Sequence, residues 1–270
     1  DGHNAQWYFQ QAYDVATAAI ESPGSFSLQA TYYDVHLGSN DRNSEILLYA
    51  DHTETSALYN GADLIYGSGG APDNFAVWMM TWNYTNIRSS SSNSSWASVS
   101  SVQREAAQSL GRPWTRMAPP IDVFTNTFED KTNDSRYDGT FVTAYRGNWD
   151  KAGISGPLYN ANYMQVGPGD AILTFLDSEP SVAIDYSNSV YKSNVGAGVL
   201  PGRADFVISP NGISRLRHPG LWKLGTYRTD NNGGLGQPNA GSTRPFNIAK
   251  FSELYFVAAE AAVKGATVKS

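Results

Sequence analysis

Residues 109–141 read SLGRPWTRMAPPIDVFTNTFEDKTNDSRYDGTF and combine backbone-turning signals with one short amphipathic run. Gly111 and Pro113 lie two residues apart, so the backbone cannot be helical throughout at that point. The Pro-Pro pair at 119–120 ends any helix that begins just before it. Apolar residues in 121–128 then recur at helical spacing, and two polar turns follow. The stretch therefore predicts a loop, a short helix and a turn, in that order.

The composition of the whole chain limits the classes of protein to which it can belong. The 270 residues are 41% hydrophobic but only 16% charged, which suits an extracellular or periplasmic surface with long loops. A net charge of -6 argues against a nucleic-acid partner, because phosphate neutralisation needs clustered Lys and Arg. The absence of cysteine excludes a disulfide framework, a catalytic thiol and a cysteine-bound zinc.

Two segments near the chain ends carry clear helical periodicity. Residues 5–20 form the first predicted helix, with Asn4 as its cap. Residues 247–264 form the second, with Asn247 as a cap and Gly265 as its stop. Both contain many alanines, which permit close approach of another helix. Between these two framework helices, residues 51–240 are predicted to be a loop-rich region with a few short strands, such as 171–176 and 205–210.

Catalytic and metal-binding motifs are not apparent. The four histidines, at 3, 36, 52 and 218, lack metal-ligand spacing, and no nucleophile or phosphate-loop motif occurs. Asp134 and Asp138 are candidates for a glycosidase acid pair, although Asp134 is more naturally the ion-pair partner of Arg136. The sequence thus predicts a protein that is not an enzyme and that uses neither a cofactor nor a metal.

Aromatic residues in irregular segments are the remaining chemical signal, at 13% of the chain. Sugar rings present C–H faces that pack on indole and phenol rings, while neighbouring polar side chains bind the hydroxyls. The alternative for any single tryptophan is that it seals a core. Trp7, Trp114 and Trp222 are assigned to the core or to framework loops. The predicted ligand-binding residues are Trp78, Trp82, Tyr84, Trp96 and Tyr66 in the long loop, with Trp149 and Tyr163 second.

Several ordered motifs resemble the SusD/RagB family of outer-membrane nutrient-binding lipoproteins. They include G-R-x-W at 111–114, D-x-R-Y-D-G-T-F at 134–141 and the R-P…E-x-Y…A-A-E-A pattern at 244–261, which departs from the family at Phe251 and Ser252. The resemblance implies a mainly α fold with long irregular loops and a few short strands, in which a helical-repeat superhelix supports a loop-rich ligand-binding subdomain. Residues 1–270 would be one partial domain of this kind, truncated at both ends.

The resemblance also implies a function. Such a protein would capture an oligosaccharide or another nutrient at the extracellular face of the outer membrane and pass it to a SusC-like TonB-dependent transporter. Its membrane attachment would be a lipid anchor outside this chain. Two alternatives are a secreted glycoside hydrolase and a structural or assembly module whose aromatic residues all lie in the core.

Overall fold

The structure is a computed structural model that describes residues 2–51, 81–114, 117–187, 191–229, 231–236 and 244–269. Its α-helices in these ranges are α1 (Ala5–Glu21), α2 (Tyr32–His36) and α3 (Phe251–Val263). A π-helical turn covers Val123–Thr127, inside the predicted short helix. The strands are β1 (Ile46–Ala50), β2 (Arg88–Ser90), β3 (Ser98–Ser100), β4 (Phe141–Val142), β5 (Ala144–Arg146), β6 (Leu158–Tyr159), β7 (Gln165–Val166), β8 (Ala171–Phe175), β9 (Phe206–Ile208), β10 (Gly220–Leu221) and β11 (Phe246–Lys250).

Short strands assemble into several small sheets. The largest has the order β3-β2-β6-β7 and is antiparallel throughout. A second has the order β5-β8-β9, in which β8 pairs antiparallel with β5 and parallel with β9. Two-stranded antiparallel pairs join β4 to β10 and β1 to β11. The predicted strands at 171–176 and 205–210 correspond to β8 and β9 and are confirmed.

The expected mainly α fold built on a helical-repeat superhelix is wrong for the described residues. The helices contain 17, 5 and 13 residues, whereas strands form mixed and antiparallel sheets through the middle of the chain. The physical reason is the hydrophobic pattern. Between α2 and α3, apolar residues come in short runs separated by Gly, Pro and Asn, which suit brief strands better than helices of several turns.

Helices α1 and α3 pack against each other, as their alanines predict. Ala16 of α1 is buried with Ala258 and Ala261 of α3, so small side chains form the contact. The Asn4 side chain caps α1 by accepting from the Trp7 amide at 3.0 Å, as predicted.

Helix α3 begins four residues later than predicted. Residues 246–250 pair with β1 as a strand, so Asn247 is not the cap. Lys250 is the N-cap residue, and the Glu253 carboxylate accepts from its amide at 3.2 Å. Gly265 ends the helix with a φ of 103°, which an L side chain would adopt only with strain. The 3.6-residue periodicity of 247–264 does not reveal this strand, because cross-strand pairing with residues 200 positions away determines it.

A buried ion pair joins the N-terminal part of the chain to its C-terminal part. The Arg244 guanidinium, almost fully buried, contacts the Asp41 carboxylate at 2.9 and 3.0 Å. It also donates to the carbonyl of His36 at 2.7 Å and to that of Gly225 at 3.0 Å. One side chain thereby fixes the end of α2, the turn that follows it and the segment after β10 relative to one another.

We expect Arg244→Met to lower the free energy of unfolding by about 3–5 kcal/mol, because it leaves a buried carboxylate without its cation. Urea denaturation followed by circular dichroism measures the change. The matched control is Arg136→Met, which removes an arginine from the exposed pair with Asp134 and should cost less than about 1 kcal/mol. Equal losses for the two variants would contradict the role assigned to Arg244.

The His36 imidazole is buried beside this ion pair. Burial lowers the pKa of His36 to about 3, and the charges of Lys223, Lys250 and Arg244 add to the effect. In the unfolded chain the same group titrates near its ordinary value of 6.5. Between these two pH values the unfolded chain therefore binds more protons than the folded one.

Stability should consequently fall as the pH drops from 6.5 toward 3, with a His36 contribution of at most about 1.4 kcal/mol per pH unit. The measurement is the difference in unfolding free energy between the wild type and His36→Gln at several pH values in that window. We expect the difference to shift in favour of the variant as the pH falls. A difference that stays constant with pH would show that His36 titrates alike in both states.

Candidate functional site

A cavity with a volume of about 1150 Å³ lies among the described residues and opens to solvent. It lies between α2, residues 106–110, strands β4 and β5, residues 147–151 and the segment after β10. Its lining combines aromatic rings with amide and charged side chains. This combination is typical of sites for polar organic ligands, in which apolar walls exclude water and a few polar groups fix orientation.

The aromatic wall of the cavity is a stacked pair of rings. Tyr33 lies over Trp222 with ring centroids 4.1 Å apart and planes at 20°. Trp222 is 7% exposed and anchors the pair, whereas Tyr33 is 44% exposed and offers its free face. Tyr227 also lines the cavity and packs directly on Gly38, where a Cβ atom would lie 2.5 Å from the Tyr227 side chain. Glycine is therefore required at position 38 for this arrangement.

Polar residues of the opposite wall are held by a hydrogen-bonded network. The Asn148 amide donates to the buried Glu105 carboxylate at 2.7 Å and accepts from the Gln103 amide at 2.6 Å. Lys151 pairs with Glu105 at 2.5 Å and remains partly exposed at the cavity wall. Side chains fixed in this way can bind ligand hydroxyls with little loss of conformational entropy.

A glutamine sets the position of the aromatic wall. Gln108 accepts from the Gly38 amide at 2.8 Å and donates to the carbonyls of His36 at 2.7 Å and Trp222 at 3.2 Å. It therefore ties α2 to the segment that carries Trp222.

Three of the predicted ligand-binding residues, Trp82, Tyr84 and Trp149, lie in the main core. Each is 1% exposed or less. The Trp82 indole donates to the Tyr145 hydroxyl at 2.8 Å, and Tyr84 stacks on the same Tyr145 ring with centroids 5.7 Å apart. The Trp149 indole donates to the Gly156 carbonyl at 3.1 Å. These rings have no face open to a ligand, so their assignment to a binding surface is corrected to a packing role.

Two other predicted residues are brought together although 67 positions separate them. Trp96 is half-buried and Tyr163 is 52% exposed, and both contact the buried ring of Tyr191, with centroid distances of 5.6 and 4.5 Å. Asn162 and Tyr163 both have positive φ, at 53° and 61°, which is costly for residues with side chains. The Asn162 amide holds this turn by donating to the Leu200 carbonyl at 2.6 Å. Tyr66 and Trp78 lie outside the described residues.

The acidic residues behave in two ways. Asp134 forms the predicted ion pair with Arg136, with oxygen–nitrogen distances of 2.8 and 2.6 Å. Asp138 lines the cavity instead, and its pKa is raised above its usual value, first by partial burial and then by the charge of Asp177.

Within the described ranges, no group of three His, Cys, Asp or Glu side chains is arranged to hold a metal ion. In the same ranges, no helix has both the length and the apolar character needed to cross a membrane. No protein-family model matches the sequence, and no curated protein matches it.

Sequence reasoning missed Tyr33 and Gln108 and placed Trp222 only in the core or framework. Tyr33 and Leu37 are four apart and share one face of α2, but a five-residue helix gives too short a pattern to recognise. Trp222 is largely buried, as assigned, yet it also supports the ring that faces the cavity.

The corrected role of the core rings gives a stability prediction. Trp82→Ala should lower the free energy of unfolding by about 3–5 kcal/mol, because it removes a large buried ring and the partner of Tyr145. Tyr163→Ala, at an exposed ring, should cost less than about 1 kcal/mol. Urea denaturation of both variants measures the contrast. Similar stability of the two variants would contradict the assignment of Trp82 to the core.

Proposed function

We propose that this chain is a binding protein that captures an oligosaccharide, or another polar nutrient of that size, without chemical change. The observation that supports this best is the 1150 Å³ cavity with the Tyr33–Trp222 pair in its wall. A sugar ring can stack on the exposed face of Tyr33 while its hydroxyls bind the polar groups of the opposite wall.

The geometry of the polar wall favours equilibrium binding. Asn148 and Lys151 line the cavity, and both bind the buried Glu105 carboxylate, which fixes their positions. Such a preorganised wall contributes orientation and specificity, and it needs no bond-making step.

The biological setting that we propose rests on the family resemblance of the ordered motifs at 111–114, 134–141 and 244–261. In that setting the protein is a SusD/RagB-type component at the extracellular face of the outer membrane. It passes its ligand to a SusC-like TonB-dependent transporter and is attached by a lipid anchor outside this chain.

One observation favours glycoside hydrolysis as a second candidate function. Asp138 lines the same cavity and has a raised pKa, so it has the character of a proton donor. A hydrolase also needs a second carboxylate across the scissile bond, and the exposed Asp150 is another aspartate among the described residues of the cavity lining.

Binding to a panel of soluble plant and host polysaccharides, measured by affinity electrophoresis and then by calorimetry, tests the proposal. We expect at least one polysaccharide to bind and Tyr33→Ala to weaken that binding at least ten-fold, because the stacking face is lost. The matched control is Tyr8→Ala, which removes a ring of nearly equal exposure, 45% against 44%, from α1.

Three outcomes separate the candidates. Loss of binding in Tyr33→Ala alone supports capture by the cavity. Release of reducing ends that stops in Asp138→Asn would replace capture with hydrolysis. If no polysaccharide binds, or if the Tyr33 and Tyr8 variants bind alike, the cavity is not a glycan site.

A further inference from the structure

A second, smaller cavity of about 320 Å³ lies on the other side of α2 from the candidate site. The side chains of α2 divide by face. Tyr33 and Leu37 line the large cavity, whereas His36 lines the small one. Residues 221–223 are extended, so alternate side chains point to opposite sides. Leu221 and Lys223 line the small cavity, and Trp222 lines the large one. No residue lines both cavities.

The small cavity is strongly cationic. Lys223 and Lys250 both line it, and both ammonium groups lie over the ring of Tyr32, 5.5 and 5.4 Å from its centroid. In the described part of the chain, neither lysine forms an ion pair with a carboxylate. Arg244 also lines the cavity, but Asp41 offsets its charge. Two lysines that have no carboxylate partner among the described residues therefore line one small cavity.

The nearby carboxylates are engaged elsewhere. Glu45 is 5% exposed and accepts from the Gln29 amide at 2.8 Å. Glu253 accepts from the backbone amide of Lys250 as part of the helix cap. Lys250 is the N-cap residue of α3, so the positive end of the helix dipole adds to the potential of the two lysines.

His36 and Asn247, which both belong to the lining, each contain one buried polar atom that has no hydrogen-bond partner. His36 is 3% exposed and its Nε2 atom is unpartnered, and the Oδ1 atom of Asn247 is also buried without a donor. Buried polar atoms are nearly always hydrogen-bonded in folded proteins, so two exceptions around one cavity need a reason. A ligand with an anionic group and hydroxyl groups supplies one, since it can pair with the lysines, His36 and Asn247 together.

We propose that this pocket binds a small hydroxylated oxyanion, such as a uronic acid or a sulfated sugar unit, through Lys223, Lys250, His36 and Asn247. The carboxylate or sulfate pairs with the ammonium groups of Lys223 and Lys250, and the hydroxyl groups of the ligand lie beside His36 and Asn247. The volume accommodates one sugar-sized unit, at the lower end of the range for ligand pockets. The exposed ring of Phe246 and the side chains of Leu221 and Pro245 form apolar walls around the charged groups.

The electrostatic state of His36 agrees with this assignment. Burial, followed by the charges of Lys223, Lys250 and Arg244, holds the pKa of His36 far below its usual value. The histidine is therefore neutral near pH 7 and experiences the same positive field that an oxyanion would. A bound anion offsets that field, so His36 is a built-in reporter of occupancy.

Calorimetry with D-glucuronate, D-glucose 6-sulfate and D-glucose at low salt tests the proposal. We expect one or both anions to bind at least ten-fold more tightly than neutral glucose. Lys223→Gln and Lys250→Gln should each weaken that binding at least ten-fold, whereas the charge-preserving Lys223→Arg should retain most of it. Lys264→Gln is the matched control, because it removes the same charge from an exposed position on the far end of α3.

Nuclear magnetic resonance of the histidine rings locates the ligand independently. We expect the anion to shift the His36 ring signals and to leave those of His218 unchanged, since His218 is equally buried with an unpartnered Nε2 but does not line this pocket. The glucuronate and sulfate arms distinguish carboxylate from sulfate recognition, and binding of either supports the proposal. Equal binding of anions and glucose, or variants at 223 and 250 that behave like the variant at 264, would overturn it.

Discussion

The buried Arg244–Asp41 pair is the constraint on which the arrangement of both cavities depends. Arg244 precedes α3, and Asp41 follows α2, so 203 residues of chain separate the partners. The guanidinium adds bonds to the carbonyls of His36 and Gly225. A buried charge pair is rarely a large net source of stability, but losing one partner is costly. Its effect here is to permit one relative position of α2 and the segment after β10.

That position makes α2 and residues 221–223 into a wall shared by the two cavities. Gln108 reinforces the wall from the large-cavity side by binding the His36 and Trp222 carbonyls, while Arg244 does so from the other side. Neighbouring side chains on a helix or an extended segment point in different directions, so the residues of this wall divide between the two cavities. Tyr33 and Trp222 face one cavity, and His36 and Lys223 face the other. An aromatic surface and a cationic surface thus lie on the two sides of one shared wall.

The sequence predicts those features of the fold that depend on neighbouring residues. It does not predict the features that depend on contacts between distant residues. Asn4, the alanines of α1 and the Gly265 stop are local signals, and the structure confirms them. The strand at 246–250 depends on pairing with β1, so its helical periodicity misled the prediction. The superhelix was inferred from resemblance, and the short apolar runs of the middle segment formed sheets instead.

The candidate site shows the same limit. Tryptophans in irregular segments were predicted to bind ligand, yet Trp82 and Trp149 fill the core because small sheets joined by loops have little aliphatic volume of their own. Trp96 and Tyr163 meet around Tyr191, which no pattern in the sequence indicates. Tyr33 is a candidate ligand-binding residue because it stacks on Trp222, and these two residues are 189 positions apart in the chain. Burial and pairing, rather than residue type, decide which rings are available.

Charge placement supports a functional reading of the small pocket. The chain has 25 acidic and 19 basic residues, so carboxylates outnumber the cations that they could pair with. Two lysines nevertheless share one tyrosine ring without an acidic partner in the described part of the chain. The ring face compensates each ammonium only in part, and the two charges repel each other. Natural proteins retain such locally unfavourable arrangements chiefly at sites where a ligand completes them. An oxyanion bound to these lysines would offset both charges, which is the reason for proposing a ligand at this pocket.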